Sequence, residues 1–154
     1  MAAFKTLELA IELATAKRDQ AMAHWQAMLR DQAFALDQMN QLKQYAQETD
    51  QRWMQGAQKR TTPELLHHQY QFMGRLNQAI ALQDGALANA ARRVDDAKQS
   101  DIQAELRLAS LKLLLNQRQA ALAKVLQRRD QKEMDEFAAQ QTQRQRGLES
   151  ENRL

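Results

Sequence analysis

Gly56-Ala57-Gln58-Lys59-Arg60-Thr61-Thr62-Pro63-Glu64 is the stretch on which the fold turns. It holds the single proline and one of the four glycines, which makes it the one strong break in 154 residues. Gly56 suits the left-handed position that ends a helix. Thr61 with Glu64 reads as a capping box. Thr62 followed by Pro63 at a first helical position reads equally well. Either way a second helix starts here.

Toward the N-terminus, a spacing of alternating four and three runs through Leu7, Ile11, Ala14, Arg18, Ala21, Trp25, Met28, Gln32, Ala35, Met39, Leu42, Ala46, Thr49 and Trp53. Most of these positions are apolar, which makes a heptad stripe and argues for coiled coil. Toward the C-terminus a second stripe runs Phe72, Leu76, Ala79, Gln83, Ala86, Ala90. It continues Val94, Ala97, Asp101, Ala104, Leu108, Leu111, Leu115, Arg118, Leu122, Val125. The two successive fours at Ala86, Ala90 and Val94 read as a stutter, which locally unwinds a supercoil. Gly74 and Gly85 each weaken this helix by ~1 kcal/mol relative to Ala. Neither comes with a proline or a polar cluster, so the helix reads through both.

If the chain folds back near residue 60, residue i faces roughly residue 120 − i in an antiparallel pair. Leu42 then meets Ala79. Trp25 and Met28 meet the Ala-rich stretch from Ala86 to Ala97. Leu7 and Ile11 meet Leu108 to Leu115. Large side chains oppose small ones in the middle and aliphatic oppose aliphatic at the far end, as even packing requires. The expected fold is therefore all-α, a long antiparallel two-helix coiled-coil hairpin whose second helix is longer than the first. It reads as one domain. The first helix covers about 4–57, the bend about 58–62, the second helix about 63–143 and a frayed tail about 144–154. Paired arms of ~50 residues would be ~75 Å long.

Composition agrees with narrow seams rather than a thick core. Hydrophobic residues make up 44%, much of it Ala, and aromatics only 5%. The mean hydropathy is −0.73. Ala, Leu, Gln, Arg, Lys, Glu and Met, the strong helix formers, dominate. No apolar run approaches the ~20 residues that cross a bilayer. The N-terminal stretch carries Lys5, Glu8 and Glu12 and does not read as a secretory signal. The net charge is +3 and the charges are interspersed, unlike the basic stripe of a nucleic-acid binder. No nucleic-acid partner is expected and no direct membrane insertion; binding to nucleic acid or to an anionic membrane would fall steeply with salt, and little is expected near physiological ionic strength.

Chemistry is sparse. Cys is absent, which excludes disulfides, thiolate metal sites and a Cys nucleophile, and fits a reducing cytoplasm. No glycine-rich phosphate loop, HExxH or GxSxG occurs. His67 and His68 are adjacent, so on a helix they point ~100° apart and cannot share a face as metal ligands. They read as exposed polar residues, and His24 as a flank of the seam. We expect no catalytic residue, no metal and no cofactor. Trp25 and Trp53 fall on the stripe and read as packing. Tyr45 and Tyr70 lie beside the stripes, where a half-covered aromatic is suited to docking. Arg128 to Glu136 is a mixed-charge run in which Arg129–Glu133 and Lys132–Glu136 are spaced for i,i+4 pairs.

Four strings together resemble the flagellar type III export protein family FliJ. They are LELAxxxAxxKRDxA (Leu7 to Ala21), QxxQLxxYxxE (Gln38 to Glu48), FxxRLxxAIxxQ (Phe72 to Gln83) and RRDQKEMDEFA (Arg128 to Ala138). Length and the single central break are also similar, and the resemblance covers essentially the whole chain. It implies a stalk-like two-helix coil, similar to the γ subunit of rotary ATPases. Such a coil binds the flagellar export ATPase hexamer, links it to the membrane export gate protein and escorts export chaperones. It implies a cytoplasmic protein, largely monomeric when free and recruited peripherally to the cytoplasmic face of the cell membrane. By this resemblance Gln38, Leu42, Tyr45, Phe72, Leu76 and Ala79 face the gate. Thr49 and Gln83 stand where an aromatic and a His are expected. Arg128, Arg129, Lys132, Glu133 and Asp135 face the ATPase, at the end carrying both termini. Two readings compete: the corresponding stalk of a virulence secretion system, and a generic self-associating coil.

Overall fold

The computed structural model describes residues 2–153, with side chains placed from Phe4 onward. It is all-α: helix α1 spans Ala2–Ala57 and helix α2 spans Pro63–Asn152. The two form a hairpin, and the second helix is the longer. Residues 144–152, expected to fray, are helical. Gln, Arg, Glu and Leu in that stretch are good helix formers, and Gly147 alone is too weak a breaker to end it.

The bend decides between the two caps. Thr62 Oγ1 accepts the Leu65 amide at 3.2 Å, and the Thr62 carbonyl accepts the Leu66 amide at 3.0 Å. Thr62 is therefore the N-cap and Pro63 the first helical residue, where its missing N–H costs nothing. The end of α1 differs from expectation. No described glycine has a positive φ, so Gly56 is not a left-handed cap. The amides of Lys59 and Arg60 both reach the Gly56 carbonyl, at 3.1 and 3.2 Å. The helix tightens into a last turn instead, and that satisfies the terminal carbonyls without a left-handed residue.

The chain divides into two compact units. One, Leu13–Arg107, holds the bend and the two stretches of helix flanking it. Its seam centres on Met39, 2% exposed, with Ala14, Leu76, Ala90 and Ala97 also buried. Contacts fix its register. Gln83 Nε2 donates to the Ala35 carbonyl at 2.8 Å. The Tyr45 and Phe72 rings meet edge to face. Arg18 Nη1 lies 3.7 Å from Glu105 Oε1. Residue numbers in these pairs add to between 117 and 123, around the expected value of roughly 120 for an antiparallel pair. The seam also carries charge. Arg18 turns to Asp19 at 2.8 Å and to Glu105, while Asp101 is 8% exposed and its Oδ1 has no hydrogen-bond partner.

The heptad of α1 lies where its spacing places it: every stripe position from Leu7 to Trp53 is buried or half-buried. The stripe of α2 is displaced before Ala90. Met73, Ile80 and Leu87 are the covered positions there, whereas Phe72 and Ala86 are exposed. The observed series 73, 76, 80, 83, 87, 90, 94 alternates threes and fours without interruption. The stutter therefore disappears. Ala79 and Ile80 are both half-buried, which is why adjacent apolar residues left the phase ambiguous. A Cβ added at Gly74 or Gly85 would meet nothing within 4 Å, so no close approach requires either glycine.

The other unit joins the residues up to Glu12 with those from Leu108 on. Leu7 and Leu108 are buried there, at 8% and 2% exposure. Beyond Leu115 cover fades. Arg118 is exposed, Leu122 is the last half-buried residue, and everything from Ala123 to Arg153 is exposed. This last stretch of α2 is an overhang without a partner helix.

Candidate partner-binding surfaces

Two surfaces carry the residues singled out above. The first lies in the unit Leu13–Arg107. Tyr45, 51% exposed, and Phe72, at 36%, pack edge to face with centroids 6.2 Å apart and planes at 78°. Each lies one position to the side of a seam residue, Ala46 and Met73, so the heptad itself places both at the margin. Gln38 is exposed and Leu42 half-buried. With Gln41, Tyr45 and Gln83 they line a shallow open hollow of about 320 Å³. Gln83, in the position expected for a His, spans the two helices: its amide lies 3.4 Å from Gln38 Oε1 and bonds the Ala35 carbonyl.

The expected gate-facing set therefore divides by exposure. Gln38, Tyr45 and Phe72 present side chains outward, with Leu42 at the margin. Leu76, 8% exposed, is part of the seam, and Ala79 is half-buried beside it. A partner could touch the first group directly. It could sense Leu76 only through the packing.

The second surface is the overhang. Arg128, Arg129, Lys132, Glu133 and Asp135 are all exposed. The spaced i,i+4 pairs Arg129–Glu133 and Lys132–Glu136 are not formed. The ion pairs among the described residues involve Arg18. Asp135 takes only a 3.3 Å hydrogen bond from Gln131. The reason is ordinary: exposed pairs of long side chains gain only ~0.3–0.5 kcal/mol and are easily opened by solvent. These side chains are exposed and take part in no ion pair among the described residues.

Beside the charged string runs an apolar line. Leu115, Leu126, Phe137 and Leu148 recur every eleven residues. At about 100° per residue, eleven residues make three turns plus only ~20°, so the line stays on one side of the helix. Leu126, Phe137 and Leu148 are 43%, 63% and 61% exposed, and Met134, a turn from Phe137, is 69% exposed. Met134, Phe137 and Ala138 share a shallow hollow with Asp130, Glu133 and Gln141, of about 560 Å³. A search by heptads misses this line, whereas a search for other periods finds it.

No cluster of three His, Cys, Asp or Glu suited to a metal occurs among the described residues. No described helix is long and apolar enough to cross a membrane. Both surfaces mix exposed aromatic or aliphatic side chains with polar ones, the composition of protein-docking faces.

No curated protein matches the chain. The sequence profile of the family described as Flagellar FliJ protein matches residues 4–147, from the first turn of α1 to near the end of the overhang. That span includes both surfaces and the bend, and it makes the chain a component associated with flagellar protein export. The protein belongs to the FliJ family.

Proposed function

We propose that this chain is the stalk of a flagellar type III export ATPase complex. The overhang of α2 seats in the ATPase hexamer, and the Tyr45–Phe72 face docks the membrane export gate protein. The same hairpin escorts export chaperones. It has no catalytic role of its own and works at the cytoplasmic face of the cell membrane, recruited there by its partners. A stalk must be slender, helical and uncovered where it meets the ring. The unpaired charges and apolar line of the overhang meet that requirement. Coverage of residues 4–147 by the family profile is the observation that carries the reading, and it favours the flagellar system over a virulence counterpart.

The deciding experiment measures the ATPase rate of the same organism's flagellar export ATPase with and without this chain, paired with size-exclusion chromatography of the mixture. Stimulation with co-elution is expected. Absence of both would leave the hairpin intact and remove the ATPase as its partner. Turnover of ATP by the chain alone would contradict the stalk role outright.

A further inference from the structure

The net charge of +3 is spread unevenly along the chain. Between Asp50 and Asp84 the only acid is Glu64, while Arg52, Lys59, Arg60 and Arg75 all fall there. Four bases less one acid is an excess of three, the net charge of the entire protein, and the remaining residues balance at 18 of each sign. His67 and His68 lie in the same stretch. Three of the four cations flank the bend of the unit Leu13–Arg107, and none of them forms an ion pair among the described residues.

The same bend exposes apolar side chains. Met54 is 59% exposed, Leu65 48%, Leu66 52% and Tyr70 79%. Pro63, Glu64, Leu65, His67 and His68 line a shallow hollow there. Leu65 and Leu66 occupy the first turn of α2, locked by the Thr62 cap, so they are presented on a rigid element. About half of each stays exposed to solvent. We propose that the bend adsorbs to an anionic lipid surface. Arg52, Lys59 and Arg60 meet headgroup phosphates, and Leu65 and Leu66 enter the boundary between headgroups and acyl chains.

The distribution favours a lipid surface over an acidic protein groove. A groove takes one face of a helix. Here Leu65 and Leu66 are adjacent and point ~100° apart, and Met54 and Arg52 stand on the other helix. A fluid surface approached by the bend accommodates all of these directions together. Basic residues around exposed Leu and an aromatic are the pattern of interfacial segments. Since no described helix can cross a bilayer, contact stops at headgroup depth. A few cations and two leucines make a reversible anchor, one that adds to partner contacts instead of replacing them. Adsorption at the bend does not depend on the ATPase being a partner.

The test is flotation of the full chain with vesicles of phosphatidylcholine alone and of equal parts phosphatidylcholine and phosphatidylglycerol, at low and moderate salt. The variants are Lys59→Glu with Arg60→Glu, Leu65→Ser with Leu66→Ser, and an overhang control, Arg128→Glu with Arg129→Glu. Circular dichroism confirms the helix content of each. Binding to the anionic vesicles alone is expected. It should fall about tenfold or more in the charge-reversal variant, fall clearly in the serine variant, and persist in the overhang control. No binding to anionic vesicles, equal binding to neutral ones, or loss in the overhang control with retention in both bend variants would each overturn the proposal.

Discussion

Truncating Met39 tests whether the seam holds the unit Leu13–Arg107 together. Met39 is 2% exposed, the largest fully buried side chain among the described residues. Met39→Ala removes about three heavy-atom groups from that site. At ~0.8 kcal/mol per buried group the transfer loss is about 2 kcal/mol, the thioether counting somewhat less than a methylene. A residual cavity adds to this, but a two-helix seam has no second layer and collapses more readily than a thick core, so we expect the low end of the usual 2–5 kcal/mol range. A total of about 2–3 kcal/mol corresponds to a fall in Tm of roughly 5–10 °C for a protein of this size. The matched control is Met54→Ala, because Met54 is 59% exposed; its effect should stay within about 0.5 kcal/mol. Thermal melts followed at the helical band, with urea titrations for the slopes, give both values. Equal costs for the two substitutions would refute the placement of Met39 at the centre of the seam. The register drawn from Gln83 and Tyr45 would then need to be redrawn.

Other perturbations separate the bend from the docking face. Thr62→Ala should cost about 1 kcal/mol by the loss of the N-cap, while Thr61→Ala should be near neutral; urea midpoints of the two variants distinguish them. Tyr45→Ala and Phe72→Ala should leave helicity intact yet reduce flagellar export, read as motility in soft agar. Loss of helicity would assign both rings to the seam instead.

How much was legible before the structure depended on how unambiguous each position was. In α1 Leu7 and Met39 sit between polar neighbours and announce one face, and the unbroken heptad spacing carries that face past exposed apolar residues such as Leu13, Leu29, Phe34 and Met54. In α2 Phe72 stands next to Met73, Ala79 next to Ile80, and Ala86 next to Leu87. Either member of each pair satisfies a hydrophobic pattern; contact with the opposing helix selects Met73 and Leu87, and covers Ala79 and Ile80 alike. The displaced phase had a further effect: it read Phe72 as a seam position, whereas the structure puts it at the margin with Tyr45. Choosing Thr62 over Thr61 likewise needed a hydrogen bond that spacing alone could not select. The docking residues were legible by resemblance to a family, and their burial was not. Leu76 carries the same letter whether it meets a partner protein or Met39's helix. The apolar line of the overhang went unread because it keeps a different period from the heptads before it.

The antiparallel register has a consequence for how the protein comes to be folded. Pairs beside the bend, such as Tyr45 and Phe72, are close in sequence, whereas the cover of Leu7 is supplied from Leu108 onward. Loop closure is easiest for the shortest separations, so pairing is expected to start beside the bend and zip outward. During synthesis Leu7 thus emerges long before the residues that cover it. Leu7 and Ile11 stay open to water until most of the chain has been made. A nascent chain halted before Leu108 would display that apolar strip to any passing chaperone or protease.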